Sequence, residues 1–300
     1  MRQRLVIHIG LHKTGTTYYQ RSVWPGWSGV DYAGKPRPKG AVSLEAVVRD
    51  MTGPVILLSD ETLGGSLKRS YLDGTRWPEL QHSELGALKD RYAEDYDIAV
   101  LVSLRRHDAW ILSIYKHYLK YGGVETLEDF LGLETTPATI PATDMAFMGK
   151  VARVEEILGV RPFCFFLEET RLQPQRLSEQ LAQFLGVTSG PDFTRQSLFN
   201  EGVNSREASL CRWFNRLSVN PGRRGSAALG RNHTRGFTVA RKLRDLGLLG
   251  GDGAGLEATN TVAEYVKHQF EPDLNASIDY LCQGRGLEPS AFRDEMQLQL

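Results

Sequence analysis

The sequence predicts a three-layer α/β fold: a central, mostly parallel sheet of four or five strands flanked by helices, with a helical last third. Three observations predict it. Largely apolar runs at residues 5–9, 54–59, 97–104 and 161–167 are each followed by a helical pattern, the order that parallel strands with crossover helices require. These runs are nearly continuous rather than alternating, as strands covered on both faces should be. The first run empties into Gly10-Leu11-His12-Lys13-Thr14-Gly15-Thr16-Thr17 and then into a helical stretch. A strand, a tight glycine-containing loop and a helix N-terminus form an anion-binding device, because unpaired first-turn N–H groups and the positive end of the helix dipole meet there.

In chain order, the helix after the loop should stop near Trp24, since Pro25-Gly26 follows. Residues 29–32 read as a short strand, 34–40 as a loop and 41–51 as a helix. The run at 54–59 delivers Ser59, Asp60 and Glu61 to its carboxyl end, the edge where open α/β sheets bind ligands. Residues 64–78 read as an irregular surface or lid segment carrying Lys68, Arg69, Arg76 and Trp77, and Tyr71 and Trp77 there would suit a sugar face. Ser83 is a candidate cap for a helix reaching about Glu94. The run at 97–104 leads through Arg105 into a helix ended by Gly122-Gly123. Thr126 caps a short helix to Leu131, 135–141 is a loop, 144–158 an amphipathic helix, and 175–185 a helix stopped by Gly186. Residues 203–206 open a helix through Asn215. A basic loop with Arg223, Arg224 and Arg231 spans 220–232, 250–255 is a flexible linker, and 259–270 and 273–282 are two closing helices. The expectation is one domain over 1–300, with an α/β core at 1–200 and a helical part at 201–300.

Two motifs carry chemistry. In the loop, Gly10 and Gly15 admit close backbone approach, Lys13 supplies a point charge, and threonine hydroxyls donate hydrogen bonds. Lys13 precedes the second glycine, unlike the common nucleoside-triphosphate loop, which places lysine after it. The second motif is Arg105 with Ser113 eight residues on, where an arginine fork and a hydroxyl can converge on one phosphate if the strand turns sharply into the helix.

The order G-x-x-K-T-G-T-T resembles the phosphosulfate loop of sulfotransferases that use 3′-phosphoadenylyl sulfate (PAPS). The Arg105-to-Ser113 spacing, within L-R-R-x-D-x-W-x-x-S-x-Y, resembles their 3′-phosphate site, particularly in the bacterial, carbohydrate- or lipid-type branch. The resemblance implies a P-loop-type fold and sulfuryl transfer from PAPS to an acceptor hydroxyl. It places Lys13 near the bridging oxygen, with His12, Lys13, Thr14, Gly15, Thr16 and Thr17 around the 5′-phosphosulfate and Arg105 and Ser113 on the 3′-phosphate. It also implies Glu61 as general base, with His117 and His12 as competitors; His117 lies four residues beyond Ser113, on the same helix face. His8, inside the first strand, reads as a buried, hydrogen-bonded histidine. No metal is expected, and the acceptor would be a small molecule, a glycan or a lipid. An ATP-dependent kinase with an atypical loop, or a nucleotide-binding domain without catalysis, are the rival readings.

Thirty-six basic and 36 acidic residues cancel, so bulk charge points to neither nucleic acid nor a membrane surface. Three cysteines, Cys164, Cys211 and Cys282, show neither paired nor metal-like spacing. No apolar run approaches the roughly 20 residues that span a bilayer, and the expectation is a cytoplasmic chain.

Overall fold

The computed structural model describes residues 2–34, 44–134, 136–194, 204–218, 235–246 and 256–296. Five strands form one sheet: β1 (Arg4–Gly10), β2 (Asp31–Gly34), β3 (Val55–Asp60), β4 (Asp97–Leu104) and β5 (Phe163–Phe166). Their order is β2-β3-β1-β4-β5, and every pairing is parallel. β1 is central. Its carboxyl end pairs Ile9 with Asp60 of β3 on one side and Gly10 with Ser103 of β4 on the other.

The continuous apolar runs are explained by what covers them. Leu5, Ile7 and Ile9 of β1 join Ile56, Leu58, Val100 and Val102 in the larger core, under the helices Trp77–Tyr92, His107–Lys120 and Phe147–Leu158. Val6, Leu57, Leu101 and Phe165 point to the other face, against Tyr19, Trp24 and the Pro174–Leu185 helix. Each such fully buried side chain contributes about 1.5–3 kcal/mol, so two dry faces fix the register of the strands. The result is a three-layer α/β arrangement. The long Asn260–Arg285 helix packs on β5 and on the His107–Lys120 and Phe147–Leu158 helices, tying the end of the chain to the core. No helix among the described residues is long and apolar enough to cross a membrane.

Several expectations need correction. The segment at 64–78 is not an irregular lid: it holds a helix at Leu67–Asp73 and the first turn of Trp77–Tyr92. Gly65 and Gly74 sit at φ 88° and 71°, so they are turn residues between helices rather than signs of a loop. Pro78 occupies the first helical turn, where its missing N–H costs nothing, and Ser83 lies inside the helix. Trp77 is 1% exposed and its indole donates to Gly64 O at 2.6 Å, so it is core and offers no sugar platform. Tyr71 is likewise packed, its hydroxyl donating to Ile114 O at 3.3 Å. The stretch at 144–158 breaks at Ala146, whose ψ of 133° separates Ala142–Met145 from Phe147–Leu158. The two closing helices are one 26-residue helix with Pro272 inside it. The neighbouring Asp273 carboxylate accepts from Phe147 N at 2.7 Å and Met148 N at 3.0 Å, capping the helix packed beside it. The short strand begins two residues later than expected, at Asp31. The basic loop at 220–232, the linker at 250–255 and nearly all of the loop at 34–40 lie outside the described residues. All three cysteines are buried and unpaired.

Candidate functional site

Strand register assembles the site. Since β1 lies between β3 and β4, the loop after Gly10 emerges between Glu61, which follows β3, and Arg105, which follows β4. Lys13 adopts a left-handed conformation at φ 71°, the only non-glycine residue among those described to do so, and Gly15 follows at φ 94°. The loop is held from behind. Trp110 Nε1 donates to His12 O at 2.8 Å, and Arg105 Nη1 donates to Lys13 O at 3.2 Å. A Cβ on Gly10 would fall 2.3 Å from Thr16 Oγ1 and 2.9 Å from Thr16 Cβ, so space requires that glycine, whereas Gly15 is required by its φ of 94°.

The helix that follows is α-helical only from Thr16 to Tyr18, then π-helical from Tyr19 to Val23, and closes as a 3-10 turn at Trp24–Gly26. The widened turn belongs to a polar cluster under the loop. Gln20 Nε2 donates to Ser59 O at 3.1 Å, Ser59 Oγ lies 2.8 Å from His8 Nδ1, and Trp24 Nε1 points at that nitrogen from 3.3 Å. His8 is thus a buried structural histidine, and burial pushes its pKa down to about 3.

A cavity of about 840 Å³ opens above the loop. Lys13, Gly15, Thr16, Thr17, Glu61, Arg105, Ser113 and His117 all line it, so eight of the ten expected site residues converge. The Thr16 hydroxyl has no partner among the described residues. His12 and Thr14 do not line the cavity; they support it. Thr14 Oγ1 bonds Leu11 O at 2.6 Å and Ser103 Oγ at 2.8 Å, and its N–H donates to Leu11 O at 3.2 Å, so Thr14 has little left for a ligand. His12 Nδ1 lies 3.0 Å from Glu61 Oε1, placing the imidazole behind the carboxylate. The neighbouring Asp60 takes over helix capping by accepting from Thr62 N at 3.0 Å, which leaves Glu61 to His12 and the cavity.

The electrostatics are those of a cationic cleft. Burial alone would raise the pKa of Glu61, but the hydrogen bond and charge of His12, with His117 and Lys13 nearby, bring it down to about 2. Burial, then the charges of His12 and Lys13, bring His117 down to about 3. Burial lowers Lys13, as do Lys120, Arg105 and Lys116, against the pull of Glu61. Arg105 and Lys116 are lowered first by burial as well. Cations crowded so closely are destabilised until an anion arrives. At neutral pH, Glu61 is ionised and His117 neutral, so both can accept a proton.

Ten lining residues were not expected, among them Tyr18, Ala109, Leu167 and Asp245 and six that matter most to the charge and shape of the cleft. Lys116 and Lys120 stand three and seven residues beyond Ser113, and the helical period alone could have found them. Glu207, Phe237, Arg241 and Arg244 come from the Ser205–Ser218 and Arg235–Asp245 helices, which pack together over the His107–Lys120 helix. Nothing in their local sequence points to the cleft. Within the first of these helices, Asn204 and Glu207 form a capping box, with Glu207 N donating to Asn204 Oδ1 at 2.8 Å and Asn204 N to Glu207 Oε2 at 3.0 Å.

No protein-family model matches the chain, and no curated protein does. Among solved structures it is similar to the crystal structure of mouse sulfotransferase SULT7A1 complexed with PAP, at 13% identity over 94% of this chain and 90% of that one, with a TM-score of 0.41. That likeness is too distant to fix a family or a function.

Proposed function

We propose that the chain is a single-domain, PAPS-dependent sulfotransferase acting on an acceptor hydroxyl. The observation that supports this most directly is the convergence of Lys13, Thr16 and Thr17 with Arg105 and Ser113 in one cleft, flanked by a carboxylate that a histidine orients. The fit is chemical: two groups of phosphate donors, a hydroxyl without a partner among the described residues, and several positive charges lowered by burial. PAPS would supply an activated sulfuryl group on a phosphate leaving group.

In this reading Thr16, Thr17 and the first-turn N–H groups hold the 5′-phosphate, while Lys13 stabilises charge developing on the bridging oxygen. Arg105 and Ser113 hold the 3′-phosphate and so discriminate against nucleotides that lack it. Glu61 accepts the acceptor's proton, with His12 fixing the rotamer of its carboxylate; His117, whose ring lies 5.9 Å from that of His12, is the alternative acceptor. Both are weakly basic in the free protein. A bound polyanion would raise both pKa values toward the range where a base works. The proposal includes a cytoplasmic setting and a bacterial-branch relationship.

The test is calorimetric titration without Mg²⁺ with 3′-phosphoadenosine 5′-phosphate (PAP), AMP, ADP and ATP. Low-micromolar PAP binding, with AMP weaker by about 10-fold or more, is expected from the loss of one charge-assisted pair at about 1.5–3 kcal/mol. A parallel titration with Mg²⁺ present in which ATP binds more tightly than PAP would replace this reading with the kinase one.

A further inference from the structure

The donor groups occupy only part of the cleft. Along the His107–Lys120 helix, Lys120 stands seven residues beyond Ser113, about 10 Å at 1.5 Å per residue. Opposite it runs the Arg235–Asp245 helix, whose Phe237, Arg241 and Arg244 share the cavity wall at helical spacing. Two contacts set the register of these walls. Lys120 Nζ lies 6.0 Å from the Phe237 ring, and Arg244 Nε lies 3.5 Å from Glu207 Oε1. Glu207 in turn is close enough to favour the charged form of Lys116. The walls are therefore antiparallel, Phe237 facing Lys120 and Arg244 facing Lys116, with Arg241 between them, across from the turn that carries His117.

The cations divide accordingly. Lys116 interacts with Arg105 and Glu207, at the 3′-phosphate end, and Arg244 is paired with Glu207 and with Asp245. Lys116 and Lys120 both act on Lys13, Lys120 the more strongly, and Lys120 also acts on His117, at the end where transfer would occur. Neither Lys120 nor Arg241 has a carboxylate partner among the described residues, and both are exposed to the cleft mouth. Two cations on facing walls of the cleft, Lys120 beside His117 and neither with a carboxylate partner among the described residues, form a subsite for an anion the donor does not bring.

We propose that Lys120 and Arg241 form an acceptor subsite, and that the acceptor is itself anionic: a hydroxyl compound already carrying a carboxylate or sulfate, such as an acidic saccharide. This rests on the sulfotransferase reading. The experiment is calorimetry on the PAP-saturated protein with three probes: a tetrasaccharide of alternating glucuronic acid and N-acetylglucosamine, its 6-O-sulfated form, and its carboxyl-reduced neutral form. At least one anionic probe should bind about 10-fold or more tightly than the neutral one, and the difference should shrink with added salt. Which of the two anionic forms binds identifies the anion. Lys120→Ala with Arg241→Ala, both at exposed positions, should weaken that binding by about 10-fold while PAP affinity stays within about fivefold. Equal binding of the neutral probe, or binding of none of the three, overturns the proposal. A larger loss of PAP affinity in the double variant assigns these cations to the donor and overturns it too. Failure of the unmodified protein to bind PAP at all is a separate result, and it removes the sulfotransferase reading first.

Discussion

Replacing Arg105 by alanine tests the site most sharply, because that side chain has two separable tasks. Its guanidinium is available to a phosphate in the cleft, and Nη1 also holds Lys13 O at 3.2 Å. A charge-assisted hydrogen bond is worth about 1.5–3 kcal/mol. Lys13 is held at φ 71°, a conformation costing a non-glycine residue roughly 1–2 kcal/mol, so losing the tether adds to the penalty. A combined loss of about 3 kcal/mol is about 150-fold in PAP affinity. The effect is readable as a melting shift. PAP at about 100 times its dissociation constant stabilises by about 2.7 kcal/mol. For 300 residues at about 2.1 cal/mol/K each, that is about 4 °C. At the same PAP concentration the Arg105→Ala protein should gain only about 0.3 kcal/mol, or about 0.5 °C. Arg105→Lys, which keeps the charge and loses the fork, should fall between. An undiminished 4 °C shift in Arg105→Ala refutes the assignment. Equal loss of AMP and PAP binding would refute the 3′-phosphate role specifically and leave Arg105 as a support of the loop.

Other consequences can be measured without knowing the acceptor. Gly10→Ala places a Cβ 2.3 Å from Thr16 Oγ1 at the start of a constrained helix; overpacking of about 1–3 kcal/mol should lower the melting temperature by about 2–5 °C and weaken PAP binding, both read from melts with and without ligand. Glu169 and Arg285 form a pair at 2.7 Å with side chains 0% and 3% exposed, so Arg285→Ala, which strands the carboxylate, should cost about 3–5 kcal/mol and about 5–8 °C. His8 and His117 are held near pKa 3, below the unfolded value of 6.5, so their neutral burial stabilises fully above pH 6.5 and that contribution is lost as pH falls toward 3. Each adds up to about 1.4 kcal/mol per pH unit to that slope, and His8→Asn should flatten the fall in melting temperature between pH 6.5 and 5 by about 3 °C. Glu61→Gln removes the carboxylate from the cleft and should tighten PAP binding by a few-fold, whereas a capping carboxylate would lower the melting temperature instead.

The α/β core was legible because its signals are local. Strands buried on both faces are largely apolar, and the runs at 5–9, 54–59 and 97–104 have that character. Lys13, Glu61 and Arg105 were legible for the same reason: each follows such a strand on the sheet edge where ligands bind. What the sequence concealed depends on contacts between distant residues. Trp77 reads as a surface aromatic although Gly64 O receives its indole, and 259–270 and 273–282 read as two helices although one helix runs through Pro272 along the core. Thr14 looked like a ligand donor because composition does not reveal that Ser103, 89 residues away, claims its hydroxyl. The cleft residues Phe237, Arg241 and Arg244 were out of reach because a helix's outward face is polar whether it meets water or an anion.

The pairing of Ile9 with Asp60 and Gly10 with Ser103 makes the distances between Lys13, Glu61 and Arg105 a property of three neighbouring strands, not of the connections between them. Insertions or deletions in the turns at 50–53 and 93–96 can therefore accumulate with little effect on those distances, whereas one inside the Trp77–Tyr92 helix would rotate its buried face off the sheet. A single residue added within 55–60 or 97–104 would advance Glu61 or Arg105 by about 3.3 Å and turn the rest of its strand inside out. Variation in chain length among relatives of this protein should be crowded into the turns of the crossovers and excluded from the six- and eight-residue strands on either side of β1.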